Sequence, residues 1–360
     1  MKRRPYLRSV LLPWIVLGAA ISTVGCNPSS TTTPSPATSS APTPSEGSPS
    51  SAVSPSSATP AASSKSTDLP GSSKPKIGLS ILTSSNPFFI DIADAMKQSA
   101  AKAGYEVIVV SGDIDPNKQQ NQVKDFIVQK VAAIVLTPCD SRAVGTAIQE
   151  ANEAGIPVFT ADIASIAANA KVVTHVATDN YSGGRQAAIA MIEALGGKGK
   201  VAILDFAQVE SVMLRTKGFR DELEEQKRAG RADIEIVAVL PGDGAKDKGY
   251  KATQDLLQSH PDLNGIFAIN DPSALGCYAA LENANRTADI KIIGFDGQVD
   301  GKQAIRDGKI YADPIQFPKR IGEETVSVIL KYLDGEEVPQ SILIPTELYR
   351  QADGQADSSL

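Results

Sequence analysis

Residues 77–110 read IGLSILTSSNPFFIDIADAMKQSAAKAGYEVIVV. An apolar run at 77–82 is followed by an amphipathic stretch at 90–103 and by a second apolar run at 106–110. Short runs rich in β-branched residues are typical of buried strands, and apolar residues at every third or fourth position are typical of helices. The stretch therefore predicts a strand, a helix and a second strand, and a helical connection of this kind joins parallel strands.

The same unit recurs along the chain in two series. Strand candidates of the first series lie at 77–82, 106–110, 133–136, 158–160 and 173–177, and those of the second at 201–205, 234–239, 265–269 and 291–294. Amphipathic helical stretches separate them, at 118–129, 142–154, 184–195, 213–228 and 248–259. Such repetition predicts parallel sheets with helices on both faces. The 360 residues are therefore predicted to form an α/β protein of two doubly wound parallel-sheet lobes with a hinge, and a ligand cleft between the lobes.

Ligands bind such sheets outside the carboxyl ends of the strands, so the residues just after each strand are candidates for the site. Phe88 and Phe89 are two of them, and aromatic faces pack against the C–H faces of sugar rings. The polar candidates are Asn86, Asp162, Arg215, Asn270 and Asp296. A carboxylate accepts hydrogen bonds from two hydroxyls, arginine donates in a planar fork, and asparagine does both. This mixture favours a neutral polyol as the ligand, because unmet polar groups in a dry cleft are costly.

Each polar candidate also has a purely structural interpretation. Asn86 before Pro87 suits the N-cap and first turn of a helix. Asp162, Asn270 and Asp296 suit turns, where these residue types are common. A lone arginine on a helix is usually solvated. Taken together, the polar candidates favour a binding site, because all of them are expected at the same cleft. No one of them does so alone.

Over residues 76–350 the chain resembles the periplasmic ribose-binding protein family, the type I sugar-binding proteins of ABC importers. The motifs that carry the resemblance occur in order along the chain: Ser85-Asn86-Pro87-Phe88-Phe89, Asp140-Ser141-Arg142-Ala143-Val144-Gly145, Gly155-Ile156-Pro157-Val158, Ala177-Thr178-Asp179-Asn180, Phe267-Ala268-Ile269-Asn270-Asp271 and Ile293-Gly294-Phe295-Asp296-Gly297. The resemblance implies the type I periplasmic binding protein fold.

The resemblance also implies which side chains contact a sugar. Those of the first lobe are the hydrogen-bonding Asn86, the stacking Phe88 and Phe89, and the carboxylate Asp162. The remaining ones are Arg215, Asn270, Asp296 and Gln316. Three crossings between the lobes are implied, near Asn180, Phe317 and Pro345. These crossings divide the folded part into an N-terminal lobe of residues 76–179 and 317–345, and a C-terminal lobe of residues 180–316 and 346–360.

Two positions depart from the ribose-binding members of that family. Ile163 stands where those members have an arginine, and Gly244 stands where they have an aromatic residue. Losing a forked donor and one stacking wall predicts a ligand other than ribose, such as a different sugar, a sugar alcohol or a furanose-like molecule. Gln208, Glu210 or Met213, from the loop before Arg215, are candidates to fill part of the space.

The first 75 residues predict export and tethering. The basic residues 2–4 and the apolar stretch 10–21 read as a signal peptide of residues 1–25, since the apolar stretch is too short to span a membrane comfortably. Thr23-Val24-Gly25-Cys26 resembles a lipobox with threonine where leucine is usual, so Cys26 is the predicted lipid-attachment residue. Ordinary signal-peptidase cleavage nearby is the alternative. Residues 27–75 are almost all Ser, Thr, Pro, Ala and Gly, which makes 26–75 a lipid-acceptor cysteine followed by a disordered tether.

Charge and composition disfavour several other kinds of protein. The net charge is −6, with 35 Lys and Arg against 41 Asp and Glu, which argues against a nucleic-acid partner. His175 and His260 have no ligand-like neighbours, so neither a metal site nor a cofactor is expected. Cys139 and Cys277 fall in different lobes, where a disulfide would lock the hinge, and both are predicted to be buried thiols.

The predicted function is the substrate-binding subunit of an ABC-type importer, which captures a small monosaccharide or related polyol by cleft closure. Its expected partners are that ligand, an ABC permease with its ATPase, and the membrane through a lipid anchor. The protein is expected to be a monomer in the periplasm or at the cell surface. A sensor lipoprotein that feeds a chemoreceptor or a histidine kinase is the alternative. An enzyme is disfavoured, because Asp162 and Asp296 are unaccompanied by a nucleophile motif or a metal cluster.

Overall fold

The computed structural model describes residues 74–360. The predicted signal peptide, Cys26 and the predicted tether up to residue 73 lie outside the described residues. The described part alternates strands and helices, as the sequence predicts, and its strands form two separate sheets. Within residues 74–360, no helix combines the length and the apolar character that crossing a membrane requires.

The strands and helices are numbered here in chain order. The strands are β1 (Lys76–Ile81), β2 (Glu106–Ser111), β3 (Ala133–Leu136), β4 (Val158–Ala161), β5 (His175–Thr178), β6 (Lys198–Asp205), β7 (Asp233–Pro241), β8 (Gly265–Ala268), β9 (Lys291–Ile293), β10 (Ala312–Ile315), β11 (Ser341–Ile344) and β12 (Glu347–Arg350). The helices are α1 (Pro87–Lys102), α2 (Pro116–Val128), α3 (Gly145–Glu153), α4 (Asn180–Leu195), α5 (Glu210–Arg228), α6 (Lys246–Ser259), α7 (Asp271–Asn283), α8 (Val299–Arg306), α9 (Pro318–Leu333) and α10 (Gln351–Ala356).

The first sheet has the order β11-β5-β4-β3-β1-β2, and all its strands are parallel. The second has the order β12-β10-β9-β8-β6-β7, in which β12 alone runs antiparallel to its neighbour. Central strands such as β3 and β8 are apolar and buried along their whole length, as parallel strands covered on both faces should be. Each sheet with its helices forms one lobe.

The chain passes between the two sheets three times. β5 leads into α4, β10 leads into α9, and β11 leads into β12. Thr178 pairs with Ile344 in the first sheet, and Ile315 pairs with Glu347 in the second. The three connections therefore leave neighbouring strand ends and run side by side, which is the arrangement of a hinge.

Both cysteines of the described part are buried thiols. Cys139 follows β3 in the first lobe and Cys277 lies on α7 in the second, and neither forms a disulfide. Burial raises the pKa of each thiol to about 12. The prediction that both are buried thiols is confirmed.

Candidate ligand-binding cleft

A cavity of about 250 Å³ lies between the lobes, beside the carboxyl ends of strands from both sheets. Its volume lies just below the usual range of pockets for drug-sized ligands, which suits a small solute. The structure brings all eight residues predicted for the site to its walls: Asn86, Phe88, Phe89, Asp162, Arg215, Asn270, Asp296 and Gln316.

The start of α1 forms the aromatic wall of the first lobe. Asn86 is the N-cap, and its Oδ1 accepts a hydrogen bond of 3.0 Å from the N–H of Phe88. Pro87 occupies the first helical position, which needs no N–H donor, so the helix begins ahead of the amphipathic stretch at 90–103. The rings of Phe88 and Phe89 lie 5.3 Å apart at 86° to each other. Asn86 is therefore both the N-cap of α1 and a residue of the cavity wall, so its structural and functional interpretations are compatible.

Asp162 brings a buried carboxylate to the cavity directly after β4. Its backbone has a φ of 64°, in the left-handed region that aspartate tolerates better than most residues. Oδ1 is buried and accepts no hydrogen bond from the described residues. Burial raises the pKa of Asp162 to about 7, although the nearby charge of Arg215 lowers it. A ligand hydroxyl is the kind of donor that this oxygen lacks.

Arg215 is held rigidly on α5, and it is only 4% exposed. Nε donates to Oδ1 of Asn180 at 2.7 Å, and Nη1 donates to the carbonyl of Ile269 at 2.7 Å and to Oδ1 of Asp296 at 3.1 Å. The guanidinium lies 3.8 Å from the centroid of the Phe295 ring. The solvated interpretation of this arginine is wrong, because its partners hold it inside the cleft.

Asp296 and Gln316 form a second polar pair beside Arg215. Nε2 of Gln316 donates to Oδ1 of Asp296 at 2.7 Å, while Oε1 of Gln316 is buried and has no partner among the described residues. Burial raises the pKa of Asp296, and Arg215, Gln316 and then Asn86 lower it. The contribution of Asn86 comes from the opposite lobe, so the polar groups of both lobes meet here.

Asn270 is likewise both a helix N-cap and a residue of the cavity wall. It is the N-cap of α7, where its Oδ1 accepts from the N–H of Ser273 at 3.0 Å. Its Nδ2 donates to the carbonyl of Gly244 at 3.1 Å. The amide is thereby held at the cavity wall in a fixed orientation.

Two further carboxylates, which sequence reasoning did not single out, lie buried near Asp296 in the second lobe. Oδ2 of Asp271 accepts from the N–H of Gln298 at 2.6 Å. Burial raises the pKa of Asp271 well above its ordinary value and the pKa of Asp313 to about 6. The charge of Asp313 raises the pKa of Asp271 further, because two buried carboxylates close together disfavour each other's ionisation.

The loop before Arg215 contributes different residues from those predicted. Phe206, Val209 and Val212 line the cavity, whereas Gln208, Glu210 and Met213 do not. Phe206 directly follows β6, so the rule that selected the other candidates would have found it. The prediction named Gln208, Glu210 or Met213, and the cavity wall contains none of them.

The ring of Phe206 lies beside Gly244, the position at which the ribose-binding members of the family have an aromatic residue. Gly244 has a φ of +65°, and a Cβ atom there would lie 3.0 Å from Nδ2 of Asn270 and 3.7 Å from Cδ1 of Phe206. A larger side chain at this position would therefore displace both neighbours. The second lobe does contribute an aromatic side chain to the cavity wall. That residue, Phe206, follows β6, whereas Gly244 comes after β7.

The same loop ties the two lobes together beside the cavity. The N–H of Ser141 donates to the carbonyl of Gln208 at 3.0 Å, and the N–H of Glu210 donates to Oγ of Ser141 at 2.9 Å. Burial raises the pKa of the Glu210 carboxylate overall, although the backbone N–H of Ala164, which lies near it, lowers that pKa. We call Ser141, Ala164, Gln208 and Glu210 the interlobe latch, and it holds the cleft closed.

Comparison with known proteins identifies the family. The periplasmic binding protein domain matches residues 77–337. The chain is 37% identical over 266 residues to the ribose import binding protein of Salmonella typhimurium, which covers 74% of this chain and 87% of that protein. It is 33% identical over 258 residues to the D-apiose import binding protein of Paraburkholderia graminis, with 71% and 80% covered.

A solved structure agrees with these relatives. The periplasmic solute-binding protein of an ABC transporter from Actinobacillus succinogenes, determined with bound D-allose, has a TM-score of 0.72 at 29% identity. The match covers 79% of this chain and 100% of that one. The predicted fold of two doubly wound lobes is confirmed. The chain belongs to the periplasmic binding protein family, among its sugar-binding members.

Proposed function

We propose that the protein is the substrate-binding subunit of an ABC-type importer, and that it captures a small neutral monosaccharide or polyol other than ribose. One observation carries the proposal. Oδ1 of Asp162 and Oε1 of Gln316 are buried at the cavity and have no partner among the described residues. Both atoms are hydrogen-bond acceptors, so the ligand must supply donors, as the hydroxyls of a sugar do.

The remaining walls suit the same class of ligand. Phe88 and Phe89 offer aromatic surface from one lobe and Phe206 offers it from the other, so a flat ring with C–H faces is packed from both sides. The named relatives bind ribose and D-apiose for import, and the solved relative holds D-allose. Ile163 and Gly244, which replace an arginine and an aromatic residue of ribose-binding members, favour another sugar here.

Cleft closure is the proposed mechanism. The ligand first binds one lobe of the open form, and rotation about the three connections then brings Arg215 and Asp296 of the second lobe against it. Closure excludes water and forms the interlobe latch. The closed monomer is what we propose the permease and its ATPase recognise, and the protein releases its ligand without changing it.

A thermal-shift screen of sugars, sugar alcohols and nucleosides tests the binding role. A ligand present at 100 times its Kd stabilises the folded protein by about 2.7 kcal/mol, which gives a measurable rise in Tm. Sugars or polyols should shift the Tm and nucleosides should not. The absence of any shift from the whole sugar and polyol set would refute the proposed ligand class.

Uptake measurements separate import from sensing. Deletion of the gene should abolish uptake of the radiolabelled ligand found in the screen, and restoring the gene should restore uptake. Normal uptake together with a lost chemotactic or transcriptional response would favour the sensor role instead.

Family membership implies that the protein acts outside the cytoplasmic membrane, in the periplasm. We further propose that residues 1–25 are a signal peptide and that Cys26 is lipidated, which leaves the protein anchored to the membrane by residues 26–75. The basic start, the short apolar stretch and the position of Cys26 support this. Metabolic labelling with a radioactive fatty acid should mark the wild type and not Cys26→Ser. Labelling of both proteins, or of neither, would contradict the anchor.

A further inference from the structure

The polar groups of the cavity are unevenly distributed. Arg215, Asp296 and Gln316 form one hydrogen-bonded group, which Asn86 joins from the other lobe. The rest of the wall is mixed, but one part of it is formed by four apolar side chains, none more than 4% exposed. We call these four the apolar corner: Ile163, Phe206, Val209 and Val212.

The interlobe latch brings the members of the apolar corner together. Ile163 belongs to the same cluster of packed buried side chains as Phe206, Val209 and Val212, so it lies against the loop of residues 206–212. Phe206 enters this loop directly after β6, and Val212 lies on the first turn of α5. The corner therefore contains side chains from both lobes and is complete only when the cleft is closed.

Few polar atoms are available to a ligand at this corner. Oγ of Ser141 accepts from the N–H of Glu210, and Glu210 itself does not line the cavity. Of residues 206–212, Ser211 is the one polar side chain that lines the cavity. A hydroxyl that points at the apolar corner would lose its hydrogen bonds to water, and within the loop of residues 206–212 only the Ser211 hydroxyl could replace one of them.

We propose that the ligand is a deoxy or methyl-ended monosaccharide whose hydroxyl-free end packs on the apolar corner, and that Ile163 and Phe206 are specificity-determining residues. This inference rests on the proposed sugar-binding function and names its substrate class. The hydroxyl-rich side of the sugar meets Arg215, Asp296 and Gln316. It also donates to the free Oδ1 of Asp162. A methyl group at the other end fills the corner without leaving an unpaired polar atom.

Titration calorimetry with matched sugar pairs tests the inference. Suitable pairs are D-galactose with D-fucose, D-glucose with D-quinovose, L-mannose with L-rhamnose, and D-ribose with 5-deoxy-D-ribose. The members of a pair differ by one terminal hydroxyl. In the configuration that fits the polar group, the deoxy sugar should bind about 10- to 100-fold more tightly, since an apolar pocket rejects an added hydroxyl only to this extent.

Two variants then place a hydroxyl in the apolar corner with little change in shape. Ile163→Thr and Phe206→Tyr should each bring the affinity ratio within a pair towards 1, mainly by improving the parent sugar. Ile189→Thr, on the exposed side of α4, is the matched control and should keep the wild-type ratio. Melting curves of the unliganded variants verify that each one is folded. An unchanged ratio in both folded corner variants would remove Ile163 and Phe206 from specificity.

Ser211→Ala tests the remaining hydroxyl of the loop. The preference for the deoxy sugar should persist or increase in this variant, and a decrease would contradict the inference. If the parent sugar of every bound pair binds the wild type as tightly as its deoxy partner, the apolar corner does not select the ligand and the sugar-binding function still stands. If no sugar of either kind binds, both proposals are wrong.

Discussion

Oγ of Ser141, in the first lobe, accepts a hydrogen bond of 2.9 Å from the backbone N–H of Glu210, in the second lobe. Ser141 is fully buried but does not line the cavity. Its contribution is therefore to the closed conformation and not to recognition of the ligand. Ligand binding and this contact stabilise the same state, so each should strengthen the other.

Ser141→Ala should weaken the binding of every ligand by about the same factor. A net hydrogen bond contributes about 1 kcal/mol, which corresponds to an affinity loss of about 5-fold. Titration calorimetry with several ligands measures the factor, and small-angle scattering should report a more open unliganded protein. Ser259→Ala, on an exposed helix end, is the control. A change in the ranking of ligands would argue that Ser141 acts on recognition instead.

Asp296→Asn should lower ligand affinity by about 100-fold, because a hydrogen bond to a charged group contributes up to about 3 kcal/mol. Asparagine is preferable to alanine here. Alanine would leave Nη1 of Arg215 buried without any acceptor at position 296, whereas the amide oxygen of asparagine can still accept from it. Breaking a buried pair completely costs about 3–5 kcal/mol of stability. Titration calorimetry measures the loss of ligand affinity, and a melting curve measures any loss of stability.

The matched control for this variant is Asp300→Asn, an exposed position on α8. It should bind like the wild type. Wild-type affinity in Asp296→Asn would place this carboxylate outside the ligand's contacts.

Asp162→Asn should stabilise the unliganded protein increasingly as the pH rises. The folded pKa of Asp162 is about 7, above its ordinary value of 3.8, so its protonation favours the folded state below about pH 4 and this contribution is lost as the pH rises to about 7. Asparagine does not ionise and escapes that loss, which is at most about 4 kcal/mol. Melting curves of both proteins between pH 4 and pH 8 measure the difference.

Comparison of the two proteins isolates Asp162, since both retain the Asp271 and Asp313 pair. Asp125→Asn, an exposed position on α2, should follow the wild type at every pH. A constant difference in Tm between Asp162→Asn and the wild type across the range would mean that the folded pKa of Asp162 is not raised.

Gly244→Ala should reduce both stability and affinity. The left-handed backbone strains alanine by about 1–2 kcal/mol, and its Cβ would lie 3.0 Å from Nδ2 of Asn270, a residue of the cavity wall. Gly104→Ala is the matched control, because Gly104 has a φ of +83° and no atom within 4 Å of the added Cβ. Melting and calorimetry should give a similar loss of Tm in both variants but a loss of affinity in Gly244→Ala alone. Equal ligand affinities in Gly244→Ala and the wild type would show that displacing Asn270 does not affect binding.

The sequence by itself determined the fold class and most of the candidate site. Apolar runs and helical spacing marked β1 to β9 and α1 to α6, because these periods are local properties of the chain, whereas β10 to β12 and α7 to α10 were not predicted. The rule that ligands meet the carboxyl ends of parallel strands then selected Asn86, Phe88, Asp162 and Asp296. These residues needed no contact information, since their position after a strand places them at the cleft.

Only the tertiary structure decided how these residues work together. Whether Arg215 is solvated or held by Asp296 depends on packing between segments far apart in the chain, as does the space beside Gly244 that Phe206 occupies. The contact between Ser141 and Glu210 exists only when the two lobes meet. Sequence periodicity reports which face of a segment is buried, but it carries no information about which distant side chain covers that face, and the character of this cleft depends on those pairings.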